Sequence, residues 1–427
     1  MKVTRIKGFA DLFSPESDLF YALEQKARAV FSSCGFKEVR TPILEPTELF
    51  IRSIGEETDV VNKEMYTLTT EKGRSYTLRP EATAGVMRAY IENALFSQEQ
   101  ISRLFTIGPM FRHERPQKGR FRQFHQINCE CLGVESPLVD ADMIVMLMRF
   151  LRSIGLKKIE LQINSLGCSA CRPLYKKTLQ DFLFSLDTQS LCLDCQRRMT
   201  TNPLRVLDCK REECKAQTEH APIIADSLCE ECKSHFSSVL ELLRKQNIEP
   251  VLNPRLVRGL DYYCRTTFEV VSGEIGSQSA VAGGGRYDGL VSSLGGPNVP
   301  GIGFACGMER LALIVPKEAP APLDFFLLAS DKDALPTGFE MMQKFRFSGL
   351  KGIMNYQVQS FKSLMRQADK SGARFCLILG SNELENGTVT IKSMRDGTQI
   401  TTAQDSAAEY LATKKEENVI FEEVKQL

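Results

Sequence analysis

The sequence predicts a mixed α/β chain of the α+β type: a sheet flanked by helices, a small inserted module and a C-terminal α/β domain. Three observations predict it. Before Cys168, apolar stripes at helical spacing interleave with short strand-like runs. From Cys168 to about Asn247 the cysteines come in pairs and the helical pieces shorten. Beyond the Pro/Ala-rich stretch IVPKEAPAPLDFF, apolar runs and helical segments alternate again. The expected divisions are 1–167 and 251–318 for the two parts of the main domain, 168–250 for the insert and 323–427 for the last domain.

The first element is a helix over SPESDLFYALEQKARAVFSSCG. Ser14 is placed to cap it, Pro15 suits its first turn and Gly35 ends it. Leu19, Phe20, Leu23, Ala27, Val30 and Phe31 make one apolar stripe. FKEVRTPILEP follows as a strand stopped by prolines. YTLRPEATAGVMRAYIENAL reads as a strand, a turn at Pro80 and a second helix. A hairpin around MFRHERPQKGRFRQFHQINCE comes next, then a helix from about Asp140 to Ile154. After the insert, strand-like chain resumes at LVRGLDYYCRTTFEVV and VAGGGRYDGLV. GIGFACGMERLALIV reads as strand, glycine turn and buried helix. In the last domain, DFFLLAS and RFCLILG are strands and QSFKSLMRQADKSG a helix.

At 427 residues the chain exceeds one ordinary domain. It is 43% hydrophobic and 25% charged, the balance of a soluble globular protein. With a net charge of +1, any nucleic-acid partner must be met by local basic clusters. No apolar run approaches the roughly 20 residues that span a bilayer. MKVTRIKGFADLF lacks the apolar core of a signal peptide. A cytoplasmic location with no membrane partner is expected, and cysteines that are thiols or metal ligands rather than disulfides.

The hairpin is where charge concentrates. Residues two apart share a strand face, so Arg122, Phe124, Gln126, Asn128 and Glu130 lie together, opposite Phe121, His125 and Ile127. Such a strand floors a polar pocket. Arg112 ends the preceding strand within reach of it, and Arg115, Lys118 and Arg120 surround Gly119 in the loop. The planar arginine fork suits phosphate and carboxylate. A solvated basic hairpin is the plain alternative, but other segments supply matching parts. Arg310 opens an otherwise apolar helix and needs an anionic partner. Arg258 precedes a glycine and two tyrosines. LRPEAT offers Glu81 and Thr83 at a strand-to-helix turn. Together these grip a polyphosphate and a small zwitterion. His113 and His125 are expected to be structural. The glycines of AGGGRYDG do not have dinucleotide-binding spacing, and tight sheet packing or close substrate approach explains them better.

FRHERPQKGRFRQFHQ and GFACGMERL resemble motifs two and three of class II aminoacyl-tRNA synthetases, and FKEVRTPILEP resembles motif one, the dimer-interface element. LVRGLDYY and GGGRYDGLV resemble the peptides peculiar to the histidyl-tRNA synthetase family. The resemblance covers nearly the whole chain. It implies a class II antiparallel sheet flanked by helices, a C-terminal anticodon-binding domain and a homodimer. It also implies the reaction of L-histidine with ATP, accompanied by Mg²⁺, followed by transfer to tRNA(His). By this resemblance Arg112 and Arg258 are the catalytic arginines. Arg112, Glu114, Arg120 and Arg310 bind ATP. Glu81, Thr83, Arg112, Gln126, Glu130, Arg258, Tyr262 and Tyr263 bind histidine, with Glu130 and Tyr263 on the imidazole. Activation needs positioning and charge stabilisation more than proton transfer, hence many arginines and few histidines.

Eight cysteines fall in the insert: Cys168, Cys171, Cys192, Cys195, Cys209, Cys214, Cys229 and Cys232. Two structural zinc sites of four thiolates each use them all, and the four pairs allow three arrangements. Two rival functions remain open from sequence. One is a catalytically dead paralogue serving as a regulatory subunit of ATP phosphoribosyltransferase, expected to lack the RGLDYY arginine or the last domain. The other is a class II enzyme for a different amino acid, against which RGLDYY and AGGGRYDG argue.

Overall fold

The computed structural model describes residues 2–56, 58–275, 280–317 and 322–414, in two units, Met1–Glu318 and Ala319–Leu427. In chain order the strands of the first unit are β1 (Lys37–Glu38), β2 (Leu44–Pro46), β3 (Tyr66–Thr69), β4 (Ser75–Leu78), β5 (Ser102–Phe111) and β6 (Gln123–Leu132). They continue with β7 (Glu160–Ser165), β8 (Val251–Leu252), β9 (Cys264–Val271), β10 (Ala280–Arg286) and β11 (Gly301–Gly307). Eight of them form one sheet in the order β1-β5-β6-β11-β10-β9-β7-β8. Every neighbouring pair from β5 to β7 is antiparallel, and only the two short edge strands pair in parallel.

The sheet has one dry face. Phe105, Ile127, Cys129, Cys131, Ile163, Phe268, Ile302 and Phe304 point into a single apolar core, covered by the helices Glu16–Ser33, Pro137–Ser153 and Glu230–Lys245. The first helix buries Phe20, Leu23, Ala27, Val30 and Phe31, the stripe its spacing predicts. The even-numbered residues of β6 face the other way and floor the site described below.

Several local expectations are corrected. Ser14 does not cap a backbone N–H; its hydroxyl donates to Asp18 Oδ2 at 2.6 Å, while Pro15 occupies the cap position. FKEVRTPILEP is not one strand. Its halves enter different sheets, β1 beside β5 and β2 in a three-stranded sheet β2-β4-β3. Between them Arg79 Nη1 donates to the Thr41 carbonyl (3.0 Å), and Pro42 cannot continue a ladder. The helix expected from Asp140 begins a turn earlier, because Ser136 caps it and Pro137 fits its first position. LVRGLDYY is not strand; β9 starts at Cys264. GIGFACG runs from β11 into the helix Met308–Ile314 without a separate turn, Gly307 serving as the cap.

The cysteine-rich segment enters after β7 and leaves before β8. Its last helix, Glu230–Lys245, is part of the main core through Val239, Leu240 and Leu243. Among the described residues no helix is long and apolar enough to cross a membrane.

In the second unit, β12 (Phe325–Ala329), β13 (Gly352–Met354), β14 (Phe375–Leu379), β15 (Thr388–Ser393) and β16 (Gln399–Ala403) form a sheet in the order β13-β12-β14-β15-β16. The first three are parallel and the rest antiparallel. Phe325, Leu327 and Ala329 pack under the helix Ala334–Phe347, and Phe326 and Leu328 under Phe361–Lys370. A strand covered on both faces reads as a continuous apolar run, which is why DFFLLAS carries no alternation. The centre of the Pro/Ala-rich linker, 318–321, lies outside the described residues.

Candidate active site

A cleft of about 310 Å³ opens on the polar face of the large sheet, lined by Arg112, Glu114, Arg120, Phe124, Gln126, Arg258, Glu269, Glu309 and Arg310 among others. Three segments far apart in sequence thus deliver the three arginines singled out above. Arg112 follows β5. Its Nε donates to the Pro80 carbonyl at 2.8 Å, its guanidinium lies 5.4 Å from the Phe124 ring centre, and Nη1 is 3.8 Å from Glu114. Arg310, in the first turn of its helix, donates to the Ala280 carbonyl at 2.6 Å. Burial lowers its pKa, and neighbouring Arg120 adds to the effect. Arg120 in turn donates to Glu114 Oε2 at 3.0 Å. Four arginines, Arg112, Arg120, Arg258 and Arg310, meet four carboxylates, Glu114, Asp208, Glu269 and Glu309, in the cleft lining, and arginine forks so concentrated suit phosphate and carboxylate.

Arg258 is fixed from three sides. Nη1 bonds Glu269 Oε1 at 2.5 Å, the guanidinium sits 5.5 Å from the Tyr263 ring centre, and it lies against Gly283 where a Cβ would clash. Its Nε is buried with no protein partner, as are Gln126 Oε1 and Asn128 Oδ1. A buried donor and two buried acceptors without protein partners, two of them lining one cleft, are groups a polar ligand satisfies.

Beside the arginines lies a cluster of buried polar side chains, Glu81, Thr83 and Glu130 among them. Glu81 accepts from the backbone N–H of Thr83 (2.6 Å) and Ala84 (2.8 Å), which secures the start of the helix Thr83–Glu92. Thr83 Oγ1 donates to Glu130 Oε1 at 2.8 Å, and the Tyr287 hydroxyl donates to Glu130 Oε2. Burial pushes Glu130 up to about 8, although both hydroxyls favour its ionised form. Tyr262 and Tyr263 stack with ring centres 4.6 Å apart, and Tyr262 meets Tyr287 edge-on at 5.8 Å. Glu81, Glu130, Tyr262 and Tyr263 are thus electrostatic neighbours, and Arg258, which lines the arginine cleft and lies 5.5 Å from the Tyr263 ring centre, links them to it.

His125 bonds Glu309 at 3.0 Å and His113 stacks edge-on with Tyr66, so both histidines hold structure. Of the glycines in AGGGRYDG, Gly283 makes room for Arg258, while Gly284 packs against the backbone of β11. Arg115 and Lys118 stand in the β5–β6 loop outside the lining of this cleft. Sequence reasoning missed Tyr287, Glu269 and the buried pair Arg286–Asp140. Tyr287 stood inside the quoted glycine motif. Glu269 alternates with buried Phe268 and Val270 on β9 and so takes the opposite face, a signal that was available. Arg286 Nη1 meets Asp140 Oδ1 at 2.6 Å, both side chains wholly buried, and His235 Nε2 meets Asp140 Oδ2 at 2.8 Å. No local pattern announces such a pair.

The cysteines sort into two groups, Cys168, Cys171, Cys229 and Cys232, and Cys192, Cys195, Cys209 and Cys214, each with sulfurs within 4.8 Å of one another. One of the three possible arrangements is thereby selected. The sulfur separations Cys168–Cys171 (3.6 Å), Cys168–Cys229 (4.0 Å) and Cys192–Cys209 (3.9 Å) match the roughly 3.8 Å that tetrahedral ligation at a metal–sulfur distance near 2.3 Å requires. Burial raises Cys168, yet the backbone N–H groups of Cys171 and Ala170 and the neighbouring thiols bring it down to about 7, while burial and its neighbours push Cys232 of the same group up.

A family model described as histidyl-tRNA synthetase matches residues 8–311, and one described as an anticodon binding domain matches residues 314–414. The chain is 62% identical over 409 residues to a histidine–tRNA ligase of Oleidesulfovibrio alaskensis, covering 95% of this chain and 98% of that one. It is 50% identical over 400 residues to a histidine–tRNA ligase of Geobacter sulfurreducens, covering 93% and 96%. The solved structure of apo histidyl-tRNA synthetase from S. aureus superposes with a TM-score of 0.81 at 35% identity, over 96% of this chain and all of that one. A Bacillus halodurans structure, described as an ATP phosphoribosyltransferase regulatory subunit/histidyl-tRNA synthetase, shares the fold at TM-score 0.65 and 17% identity, over 88% and 98%.

Proposed function

Because this chain belongs to the histidyl-tRNA synthetase family, we propose that its arginine cleft holds ATP while the pocket around Glu130 holds histidine. The chain is a histidine–tRNA ligase. A histidine carboxylate oxygen attacks the α-phosphorus of ATP. The bond from that phosphorus to the bridging oxygen breaks, and pyrophosphate leaves with its electrons. The terminal ribose hydroxyl of tRNA(His) then attacks the histidyl carbonyl and AMP departs. The nucleotide arrives with Mg²⁺.

The single observation that carries the assignment of roles is the adjacency of the two chemistries through Arg258, which lines the cleft and lies 5.5 Å from the Tyr263 ring centre. Arg112 and Arg258 face the junction, where charge builds on the α-phosphoryl oxygens, so they stabilise the transition state. Arg310, Arg120 and Glu114 take the rest of the nucleotide. Glu81 and Thr83, with Gln126, receive the α-amino group. Glu130 and Tyr263, with Tyr262 alongside, receive the imidazole, whose two nitrogens need one donor and one acceptor. Glu130 with a pKa near 8 serves as either. The site rejects side chains that leave these buried groups unpaired.

The C-terminal unit is the proposed anticodon reader. A homodimer is proposed from FKEVRTPILEP, and the exposure of Ile43 and Leu44 (42% each) with Leu68 (55%) supports an apolar contact there. The two groups of thiols fit Zn²⁺, which would add ligation to the apolar packing that already joins the insert's helices.

Amino-acid-dependent ATP–pyrophosphate exchange, run with each of the twenty amino acids, tests the reading. Exchange with histidine alone is expected. Exchange with another amino acid, or with none from folded protein, overturns it, and the second outcome favours the regulatory paralogue.

A further inference from the structure

The segment 254–263 carries Arg258, Tyr262 and Tyr263 but no ladder of its own: it runs as turns and bends until β9 begins. Its position is set from outside. Asn164 of β7 holds its start, donating to the Leu256 carbonyl at 3.1 Å, and the Asp261 N–H donates to the Ile54 carbonyl at 3.2 Å; three further donors come from the cysteine-rich segment. Arg205 Nη1 donates to the Arg258 carbonyl at 3.0 Å. Asn202 Nδ2 donates to Asp261 Oδ1 at 2.8 Å. Arg172 Nη1 donates to the Tyr263 carbonyl at 2.9 Å. In the reverse direction Arg255 Nη1 donates to the Thr218 carbonyl at 2.8 Å. Packing agrees, for Val257 and Tyr263 share one apolar cluster with Val206, Leu207 and the buried cysteines.

We propose that the cysteine-rich segment is a buttress for 254–263, with Arg205 as the positioning residue that sets Arg258. Arg205 and Asn202 lie between Cys195 and Cys209, inside the loop that the second thiol group closes. Arg205 is further oriented by Asp208 at 3.6 Å, and Arg198 on the same loop pairs with Asp59 at 2.6 Å. A loop closed at both ends loses the freedom that would let Arg205 wander. Zn²⁺ at Cys192, Cys195, Cys209 and Cys214 thus acts on the chemistry at a distance, by keeping Arg205 against Arg258. That part rests on the zinc reading above; the Arg205 contact does not.

The mechanism predicts a particular kinetic split. Displacing Arg258 by a fraction of an ångström lowers turnover without removing a group that binds ATP. Arg205→Ala should reduce kcat for histidine-dependent pyrophosphate exchange by about tenfold or more, with the KM for ATP nearly unchanged. Arg205→Lys, which keeps a donor, should recover part of the loss. Amide hydrogen exchange at 256–263 should quicken in Arg205→Ala while β5 and β6 stay protected. If Arg205→Ala does not fold, Asn202→Ala is read the same way through Asp261. Normal kcat with unchanged exchange at 256–263 overturns the proposal. Native mass spectrometry decides the metal's share. Wild type should carry two Zn²⁺ and Cys209→Ser one, with faster exchange at 256–263 in the variant. Wild type without zinc refutes both the zinc reading and the metal's part, whereas loss of one ion with unchanged exchange refutes the metal's part alone.

Discussion

Gly303 lies directly across the sheet from Glu130, and the buried carboxylate occupies the space a Cβ at position 303 would need. A glycine on β11 therefore lets an acidic side chain on β6 turn into the pocket, toward Thr83 and Tyr287.

Gly303→Ala should consequently act as a substrate-specific lesion. The methyl group must displace Glu130, so the KM for histidine should rise about tenfold or more, with the KM for ATP little changed. Pyrophosphate exchange with each substrate varied in turn measures both. Equal effects on the two would place Glu130 outside the histidine pocket.

The elevated pKa of Glu130 carries a pH signature. Burial raises it from 4.5 to about 8, against the pull of the Tyr287 and Thr83 hydroxyls and with Glu81 adding in the same direction. Between those two values the native state keeps a proton that the unfolded chain releases, so stability from this group is full below the lower value and is lost as pH rises toward the upper one. Glu130→Gln removes that slope. Thermal melts of wild type and variant without substrate should diverge as pH rises from about 5 to about 8, the variant gaining. Parallel curves would show that the carboxyl ionises freely in the fold.

The Arg258 guanidinium is held in advance by Glu269, Tyr263 and the absence of a side chain at Gly283. Preorganisation of that kind serves the transition state. Arg258→Ala should cut kcat for adenylate formation by about a hundredfold while moving KM values little. A large KM change at normal kcat would make it a ground-state binder instead.

Asp140 accepts from Arg286 and contacts His235 in the interior. Removing the carboxylate leaves a wholly buried guanidinium with the Val134 carbonyl and Asp288 as its remaining partners. Asp140→Ala should cost about 3–5 kcal/mol of stability in denaturant unfolding. Because Arg286 precedes Tyr287, histidine binding should weaken as well. A change below about 1 kcal/mol would mean the charges are compensated elsewhere.

Much of the site was legible because its residues sit in long motifs whose local chemistry is unusual. Arg112, Arg258 and Arg310 each stand where an arginine is expensive to bury, and alternation brings Phe124 and Gln126 to the cleft; Phe121, expected on the other face, lines the cleft as well because β6 begins only at Gln123. Errors came where a local signal had a distant competitor. Ser14 had the right identity for a cap, but Asp18 took its hydroxyl. LVRGLDYY has the apolar and aromatic content of a strand, yet in place of a ladder it bonds the side chains of residues 164, 172, 202 and 205 and the Ile54 carbonyl.

By itself the sequence determined the family, the α+β class, the helix stripes, the arginine set and the presence of eight paired cysteines. Those are properties of identity and spacing, and they survive without coordinates. Tertiary structure alone decided which cysteines meet, that Tyr287 bonds Glu130, that Glu269 holds Arg258, and that side chains of the insert bond 254–263. Each of these joins residues separated along the chain by contacts that depend on how strands and loops pack. Periodicity reports the face a residue takes on its own element, whereas the partner it meets is set by the register and packing of another.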